Sequence, residues 1–413
     1  MDNVKFPLAL TVLLASQCQS FAQCNEIKSD RIRSLQVVAG TKWMSMPIIK
    51  LNENENINIS FDDLTHVNHR YVYRLQHCEA NWTISDDIFE SDYCEGFPDG
   101  NTIDDSEESI NTNTIYTHYR LSLPNDKCKF KISGNYRLSV YDENEGDTIL
   151  NVYFMVIDPL MSVNLYVSPN TDIDTNKSHQ QISMSLRYNN INVTNPEREI
   201  HTVVLQNGRW ETARRDVHPQ YMPNDGLRWE HNKSYIFDAG NEYRKFEILS
   251  TDHPTLGIEE IKWTGEDYKA DIWTDFPRLS YVYDEDANGA FYIRNSDNYE
   301  NDVTSDYINV RFRVKSQLEN GKVYVNGSWT NGLFDQEYEM TYNNNESQYE
   351  KTIKLKQGYY SYQYLLKRDN QIIPLPSEGN FFQTENKYQA LIYWKGIGQR
   401  TDLLVGYGEV QCK

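Results

Sequence analysis

Residues 136–156 read YRLSVYDENEGDTILNVYFMV, and this stretch decides the fold class. Large apolar residues recur at every second position on both sides of a polar turn at 142–147, namely at Tyr136, Leu138, Val140, Val152, Phe154 and Val156. Successive side chains of a β-strand point to opposite faces of the sheet. The stretch therefore predicts two strands, each with one buried face, joined by a turn that contains Gly146.

The same alternation recurs along the chain, at 57–61, 71–75, 119–123, 163–167, 182–188, 308–314, 323–325, 353–355, 360–364 and 391–393. Asn207-Gly208 between two such runs is a strong signal for a tight hairpin turn. Aromatic residues make up 13% of the chain, including 30 tyrosines, and they favour strands. The sequence predicts an all-β protein of tandem immunoglobulin-like or early-set β-sandwich domains.

A length of 413 residues suggests two or three domains. Pro159 interrupts a strand pattern because proline cannot donate to a β-ladder. The polar, acidic run at 295–306 is typical of a linker. We predict a signal peptide at 1–22, an N-terminal sandwich at 23–158, a middle β-rich domain at 159–300 and a C-terminal early-set-like sandwich at 301–413.

The N-terminus has the features of an export signal. Lys5 precedes an apolar run at 6–15, and the small residues Ser20 and Ala22 allow cleavage before Gln23. The run is too short to span a bilayer, so we expect removal of the peptide and a periplasmic mature protein without direct membrane insertion.

Lysine and arginine total 40 against 60 aspartate and glutamate residues, which gives a net charge of −20. This charge argues against nucleic acid, whose phosphates require a basic surface, and against anionic lipid. It favours solubility, and we expect a monomer when the protein is free.

Signal cleavage would remove one of the six cysteines and leave five, namely Cys24, Cys78, Cys94, Cys128 and Cys412. An odd number cannot pair completely within one chain. An oxidising periplasm would permit a bond among Cys78, Cys94 and Cys128, but the spacing does not indicate the connectivity.

Two patterns resemble metal sites weakly. His66 and His69 would converge only on a helix, so we interpret them as loop residues. The run 284–289 resembles the first half of a calcium loop, but Asn295 stands where the closing glutamate is required, which favours a hairpin turn. We therefore expect no metal, no cofactor and no catalytic residue, and we interpret the protein as not an enzyme.

Three groups of stretches, in order along the chain, resemble one family. They are 35–51 with 73–82, then 195–200 with 205–210 and 239–244, and finally 306–307 with 323–327 and 355–364. The set is similar to the plug proteins of the type IX secretion system. The resemblance implies a periplasmic protein that seals a large outer-membrane β-barrel translocon when no substrate is passing, and it carries over no catalytic residues.

A second resemblance concerns the third domain alone. Residues 326–329 and 358–362 resemble early-set sandwiches that bind carbohydrate. On that resemblance, Trp329 is the candidate that would stack on a sugar ring. An exported glycan-binding or cell-surface adhesion protein is accordingly the alternative function, whereas a core position for Trp329 favours the plug.

Overall fold

The computed structural model describes residues 24–65, 67, 69–369 and 371–412. The predicted signal peptide and His66 lie outside these ranges. Thirty strands and six single helical turns are found in the described part, which confirms the predicted all-β class with tandem β-sandwiches. Within the same ranges, no helix has the length and apolar content needed to cross a membrane.

The first twelve strands are β1 (Glu26–Ile27), β2 (Ile32–Ala39), β3 (Ile48–Lys50), β4 (Ile57–Asp63), β5 (Tyr71–Cys78), β6 (Cys94–Gly96), β7 (Asp99–Thr102), β8 (Asp105–Glu108), β9 (Thr117–Leu123), β10 (Cys128–Phe130), β11 (Gly134–Asp142) and β12 (Thr148–Ile157). One sheet has the order β1-β12-β11-β5-β7, with β3 also paired to β12. The facing sheet is β2-β4-β9-β8, and β6 with β10 forms a separate ribbon. These strands form the first sandwich.

The core of the first sandwich follows the two-residue period of the sequence. Tyr136, Leu138 and Val140 on β11 are fully buried, and Phe154 on β12 stacks on Tyr136 with ring centroids 5.8 Å apart. Burying one such side chain contributes about 1.5–3 kcal/mol. The alternation that predicted the strands is thus the alternation that fills this core.

The next six strands are β13 (Ser162–Ser168), β14 (His179–Arg187), β15 (Ile200–Gln206), β16 (Arg209–Arg215), β17 (Gly226–Trp229) and β18 (Ile236–Asp238). β15 and β16 form the predicted hairpin. Asn207 and Gly208 between them have φ values of 54° and 68°, which is the left-handed geometry that a two-residue hairpin turn needs.

Ten strands follow, namely β19 (Arg244–Ile248), β20 (Ile258–Trp263), β21 (Tyr268–Ile272), β22 (Phe291–Ile293), β23 (Tyr307–Lys315), β24 (Lys322–Asn326), β25 (Thr341–Asn343), β26 (Gln348–Lys356), β27 (Gly358–Arg368) and β28 (Gln371–Pro374). One sheet is β20-β21-β23-β26-β25. In the other, β27 pairs with β19, β22, β24 and β28. These ten strands form the inserted sandwich.

The last two strands are β29 (Lys387–Trp394) and β30 (Leu403–Gln411), and they return to the middle of the molecule. They extend the hairpin into the sheet β16-β15-β29-β30, which faces the sheet formed by β13, β14, β17 and β18. Ile392 and Val405 share one buried core with Ile182 and Trp229. These eight strands form the middle sandwich.

The structure corrects the predicted domain boundaries. The domain predicted at 301–413 loses β29 and β30 to the middle sandwich, and the domain predicted at 159–300 loses β19–β22 to the inserted sandwich. The inserted sandwich therefore interrupts the middle one. Strand periodicity reports burial on one face, and it does not report which strand lies alongside, so this nesting is not encoded locally.

The predicted linker at 295–306 is also corrected. It includes the helical turn α3 (Asn301–Thr304), with Val303 and Ser305 fully buried. The remaining turns are α1 (Glu90–Tyr93), α2 (Pro196–Glu199) and the 3-10 turns Lys233–Tyr235, Ser328–Thr330 and Pro376–Glu378. Residues 296–300 are exposed, whereas Asp306 at the end of the predicted linker accepts hydrogen bonds from the backbone N–H groups of Asn113 at 2.7 Å and Thr114 at 3.0 Å in the first sandwich.

Candidate functional site

Trp329, the candidate glycan platform, is a core residue. Its side chain lies among aromatic rings of the inserted sandwich, stacked on Phe312 at 6.0 Å and edge-on to Tyr360 at 5.7 Å between ring centroids. Its indole N–H donates to the carbonyl of Ser361 at 3.2 Å. Only 7% of the residue is exposed, so it offers no face to a sugar ring, and the glycan alternative loses its one residue.

His69 lies beside a carboxylate pair, but those carboxylates already have a cation. Its Nδ1 is 2.7 Å from Oδ2 of Asp142, and Glu145 is close enough to complete a three-ligand group. The Arg31 guanidinium lies 3.1 Å from Asp142 and 3.0 Å from Glu145. The Arg31 guanidinium therefore neutralises the negative charge of Asp142 and Glu145 that a metal ion would otherwise neutralise.

The run 284–289 connects two sheets of the inserted sandwich. It leads from β21 to β22, which pair with different partners, so it is not the hairpin that the sequence predicted. Asp286 accepts hydrogen bonds from the backbone N–H groups of Asn288 at 2.6 Å and of Tyr243, and Asp284 pairs with Lys245 at 2.6 Å. The carboxylates of Asp284 and Asp286 are thus engaged by protein donors, and burial raises the pKa of Asp286 to about 7.

A cavity of about 480 Å³ lies where the three sandwiches meet. Trp82 of the first sandwich and Trp210 of the middle one line it edge to face, with ring centroids 5.5 Å apart. Arg209 pairs with Glu211 at 2.7 Å in the same wall. This ion pair lies within β16, so the two charges compensate each other inside one wall of the cavity.

The one thiol in this wall is not set up as a nucleophile. Burial, followed by the charges of Glu26 and Glu211, raises the pKa of Cys24 to about 11. A thiol of that pKa is protonated at neutral pH, whereas nucleophilic attack requires the thiolate. The cavity is best interpreted as the meeting point of three domains.

The first and middle sandwiches share an apolar cluster and a ring of hydrogen bonds. Met155 and Ile157 pack against strands of the middle sandwich in one buried group. Glu79 accepts from the Thr401 hydroxyl at 2.9 Å and from the Asp402 N–H at 3.0 Å, while the Asp402 carboxylate accepts from the Ala80 N–H at 2.8 Å. This interface resembles a domain interior.

The first and inserted sandwiches are joined by a buried ion pair. The ammonium group of Lys356, on β26, lies 2.6 Å from Oδ2 of Asp62 on β4, and both side chains are at most 1% exposed. The hydroxyl of Tyr307 also donates to this oxygen, at 2.6 Å, and Nδ1 of His118 lies 2.5 Å from the other oxygen. The Lys356 ammonium also lies 4.1 Å from the ring centroid of Tyr116.

The electrostatics of this pair favour its ionised form. Burial alone would raise the pKa of Asp62, but the charge of Lys356 and the hydrogen bond from His118 outweigh it and lower that pKa. Burial lowers the pKa of Lys356, and the attraction of Asp62 opposes that change. Each charge is therefore tolerable in the interior only while its partner stays in place.

The middle and inserted sandwiches are tied together where the chain crosses between them. Arg244, after the first crossing, binds Glu378 at 2.8 Å and Asp275 at 2.6 Å. Phe381, on the returning segment, donates its N–H to the carbonyl of Gly240 at 2.8 Å. All three pairs of sandwiches are thus joined by buried or half-buried polar contacts.

Sequence reasoning identified neither Lys356 nor Asp62. Each lies near the end of a strand, where a charged residue normally faces solvent, and the residues are 294 positions apart. A signal that could have flagged Lys356 is its place between the buried positions of β26 and the Gly358–Tyr364 run, but that pattern does not name a partner.

Two comparisons with known proteins bear on the family and the fold of the chain. Residues 32–158, which make up nearly all of the first sandwich, match the model of the type 9 secretion system plug protein first domain. A crystal structure of a hypothetical protein from Parabacteroides merdae is 38% identical, with a TM-score of 0.90 over 94% of this chain and 99% of that one. The fold that the two proteins share therefore extends over all three sandwiches.

Two streptococcal structures also align, but they support no argument about fold or function. The C-terminal domain of the antigen I/II-family protein AspA of Streptococcus pyogenes is 7% identical, covers 92% of this chain and 99% of that chain, and has a TM-score of 0.18. The corresponding domain of BspA of Streptococcus agalactiae is 7% identical with a TM-score of 0.17, over 92% and 98% of the two chains. No curated protein sequence matches significantly. From the match of its first sandwich to the family model, the chain belongs to the plug protein family of the type IX secretion system.

Proposed function

We propose that the protein is a periplasmic plug that closes the periplasmic end of the type IX outer-membrane translocon when the translocon is idle. The observation that carries the proposal is the match of the first sandwich to the plug family, within a chain that folds like its relative along almost its whole length. The partner is then a large outer-membrane β-barrel, and the free protein is a soluble monomer.

The construction of the molecule supports a sealing role. A plug must cover a wide, water-filled opening without deforming, and three sandwiches joined by buried contacts offer a broad, stiff surface. The pair formed by Lys356 and Asp62 fixes how the first and inserted sandwiches meet, because each charge is compensated in the interior only when the other is opposite it. Plug families are not enzyme families, and a seal requires no turnover.

The alternative, glycan binding or adhesion, has less support. It depended on Trp329 as a stacking platform, and that side chain is packed between Phe312 and Tyr360. No second observation in the described residues favours it.

Deletion of the gene tests the proposal. We expect the deletion strain to continue exporting type IX cargo but to become sensitive to large hydrophilic antibiotics that normally do not cross the outer membrane. Complementation with the wild-type gene should restore resistance, and so should complementation with Glu346→Ala, a change at an exposed surface carboxylate.

Three outcomes would contradict a plug. A deletion strain that remains as impermeable as wild type would remove the sealing role. Failure of the tagged protein to retain a large barrel protein from detergent-solubilised outer membranes would remove the partner. Complete loss of complementation by one surface carboxylate change would instead indicate an enzyme, because catalysis depends on single residues in a way that sealing does not.

A further inference from the structure

Five large apolar side chains are exposed together on one irregular segment of the inserted sandwich. They are Trp273 (59% exposed), Phe276 (64%), Leu279 (92%), Val282 (72%) and Tyr283 (57%), and we name them the apolar strip. Scattered exposed apolar residues are normal on a protein surface, but several along one short segment mark an interaction site.

The inward side of the same segment is polar. Asp275 accepts hydrogen bonds from the hydroxyls of Tyr362 at 2.9 Å and Tyr364 at 2.7 Å. Three residues later, Arg278 donates to the carbonyl of Glu242 at 2.7 Å, and after three more, Tyr281 donates to the carboxylate of Glu242 at 2.6 Å. Asp275, Arg278 and Tyr281, at every third position, thus fix the segment to the sandwich through polar side chains, and we name them the anchors. The apolar residues between the anchors face solvent, which is the reverse of the usual arrangement.

The backbone of the first part of the segment, at 273–278, is also held by hydrogen bonds. The N–H of Asp275 donates to the carbonyl of Arg313 at 2.9 Å, and its carbonyl accepts from the N–H of Lys315 at 2.8 Å. The N–H of Arg278 donates to the carbonyl of Ser377 at 2.8 Å. Backbone bonds at 273–278 and the anchored side chain of Tyr281 therefore order much of the strip before a partner binds, which lowers the entropy cost of binding.

Charge indicates the chemistry of the partner. The strip is followed directly by two exposed acidic residues, Asp284, which already pairs with Lys245 at 2.6 Å, and Glu285, in a chain with a net charge of −20. Acidic surroundings repel anionic lipid and oppose pairing with a second copy of the same chain. They favour a protein surface with an apolar centre and a lysine- and arginine-rich rim.

We propose that the apolar strip is the docking surface through which the protein binds such a surface on the secretion translocon. This inference rests on the proposed plug function and adds to it the part of the plug that makes contact and the chemistry of its receptor. Docking covers the five side chains and places Glu285, together with the other exposed acidic groups of the chain, against basic groups of the partner.

The test compares three full-length, tagged proteins as baits on detergent-solubilised outer membranes. They are the wild type, a Leu279→Ser/Val282→Ser double variant, and the matched control Ile397→Ser, which removes an equally exposed side chain (87%) from the middle sandwich. Because all three positions face solvent, we expect each protein to fold. We expect the double variant to retain at least tenfold less translocon than wild type, and the control to retain as much as wild type. Raising the salt from about 50 to 500 mM should weaken wild-type capture several-fold.

Each contrary result has a distinct meaning. Equal capture by all three baits would show that the apolar strip is not the docking surface, and it would leave the proposed plug function unaffected. No capture by wild type would contradict both proposals. Capture that does not depend on the salt concentration would contradict a lysine- and arginine-rich rim on the partner. Flotation of wild type, but not of the double variant, with vesicles of phosphatidylethanolamine and phosphatidylglycerol would assign the strip to lipid. A dimer of wild type in sedimentation that the double variant lacks would assign it to a second copy. Either result overturns the proposal.

Discussion

At the scale of single residues, the environment of Trp329 decides between two functions that its sequence context leaves open. A tryptophan after Gly327 and Ser328 is equally compatible with a sugar-binding platform and with a core position. In the fold, a side chain added at Gly327 would collide with the Trp329 indole nitrogen, 2.3 Å from where its Cβ would lie. Glycine is therefore required here so that the ring can turn inward.

Replacing Trp329 with alanine should destabilise the protein without changing its affinity for sugar. We expect the free energy of unfolding to fall by about 3–5 kcal/mol, because the change removes a buried aromatic ring and leaves a cavity. Denaturant unfolding measures this, and Trp263→Ala, at a half-exposed site beside Tyr268, should cost about 1 kcal/mol or less. Binding of α-glucan by wild type that is lost in Trp329→Ala would contradict the core assignment.

At the scale of elements, the ribbon of β6 and β10 brings two cysteines together. Cys94 pairs across the ribbon with Phe130, and Cys128 pairs with Gly96, so the two thiols are diagonal neighbours with Sγ atoms 2.7 Å apart. A covalent bond would close a long loop of the unfolded chain and favour the folded one.

We predict a Cys94–Cys128 disulfide in protein isolated from an oxidising compartment. Mass spectrometry after thiol alkylation should find these two linked and Cys78 and Cys412 free. A Cys94→Ser/Cys128→Ser double variant should lose about 2–4 kcal/mol of unfolding free energy relative to the oxidised wild type. Cys412→Ser, at a site without a nearby thiol, is the control. A bond between Cys78 and Cys94 would show that this pairing is wrong.

At the scale of the whole molecule, the three sandwiches share buried contacts instead of hanging from flexible linkers. The apolar cluster around Met155 and Leu404 joins the first and middle sandwiches, and Lys356 with Asp62 joins the first and inserted ones. Domains joined by small polar interfaces usually move relative to one another, whereas burial of this kind opposes motion. A seal requires that the sandwiches do not move relative to one another.

Breaking the buried ion pair should release the inserted sandwich from the first. We expect Lys356→Ala to lower the free energy of unfolding by about 3–5 kcal/mol, because Asp62 is left buried and without its charge partner. Lys354→Ala, two residues away at a half-buried site 3.7 Å from Asp267, should change it by about 1 kcal/mol or less. Chemical denaturation, together with limited proteolysis at 295–306, reports both effects. Equal values for the two variants would remove the role assigned to the pair.

Local sequence accounts for the strands and for one turn. β11 and β12 occupy the alternating stretch at 136–156, and Asn207-Gly208 forms the hairpin turn that this dipeptide predicts. Both features depend on neighbours in the chain, because side-chain alternation and left-handed turn geometry are properties of a few consecutive residues. The all-β class and the family resemblance follow from such local patterns repeated over 413 residues.

Tertiary structure alone decided the nesting of the domains, the position of Trp329 and the partner of Lys356. β29 pairs with β15, nearly two hundred residues earlier, and Lys356 meets Asp62 across two sandwiches. The apolar strip belongs to the same class, since its residues resemble any buried run until the anchors Asp275, Arg278 and Tyr281 are seen to point inward. Sequence by itself determined which faces of which strands are apolar. Which faces meet, and which stay exposed, depends on contacts between distant segments that no local pattern records.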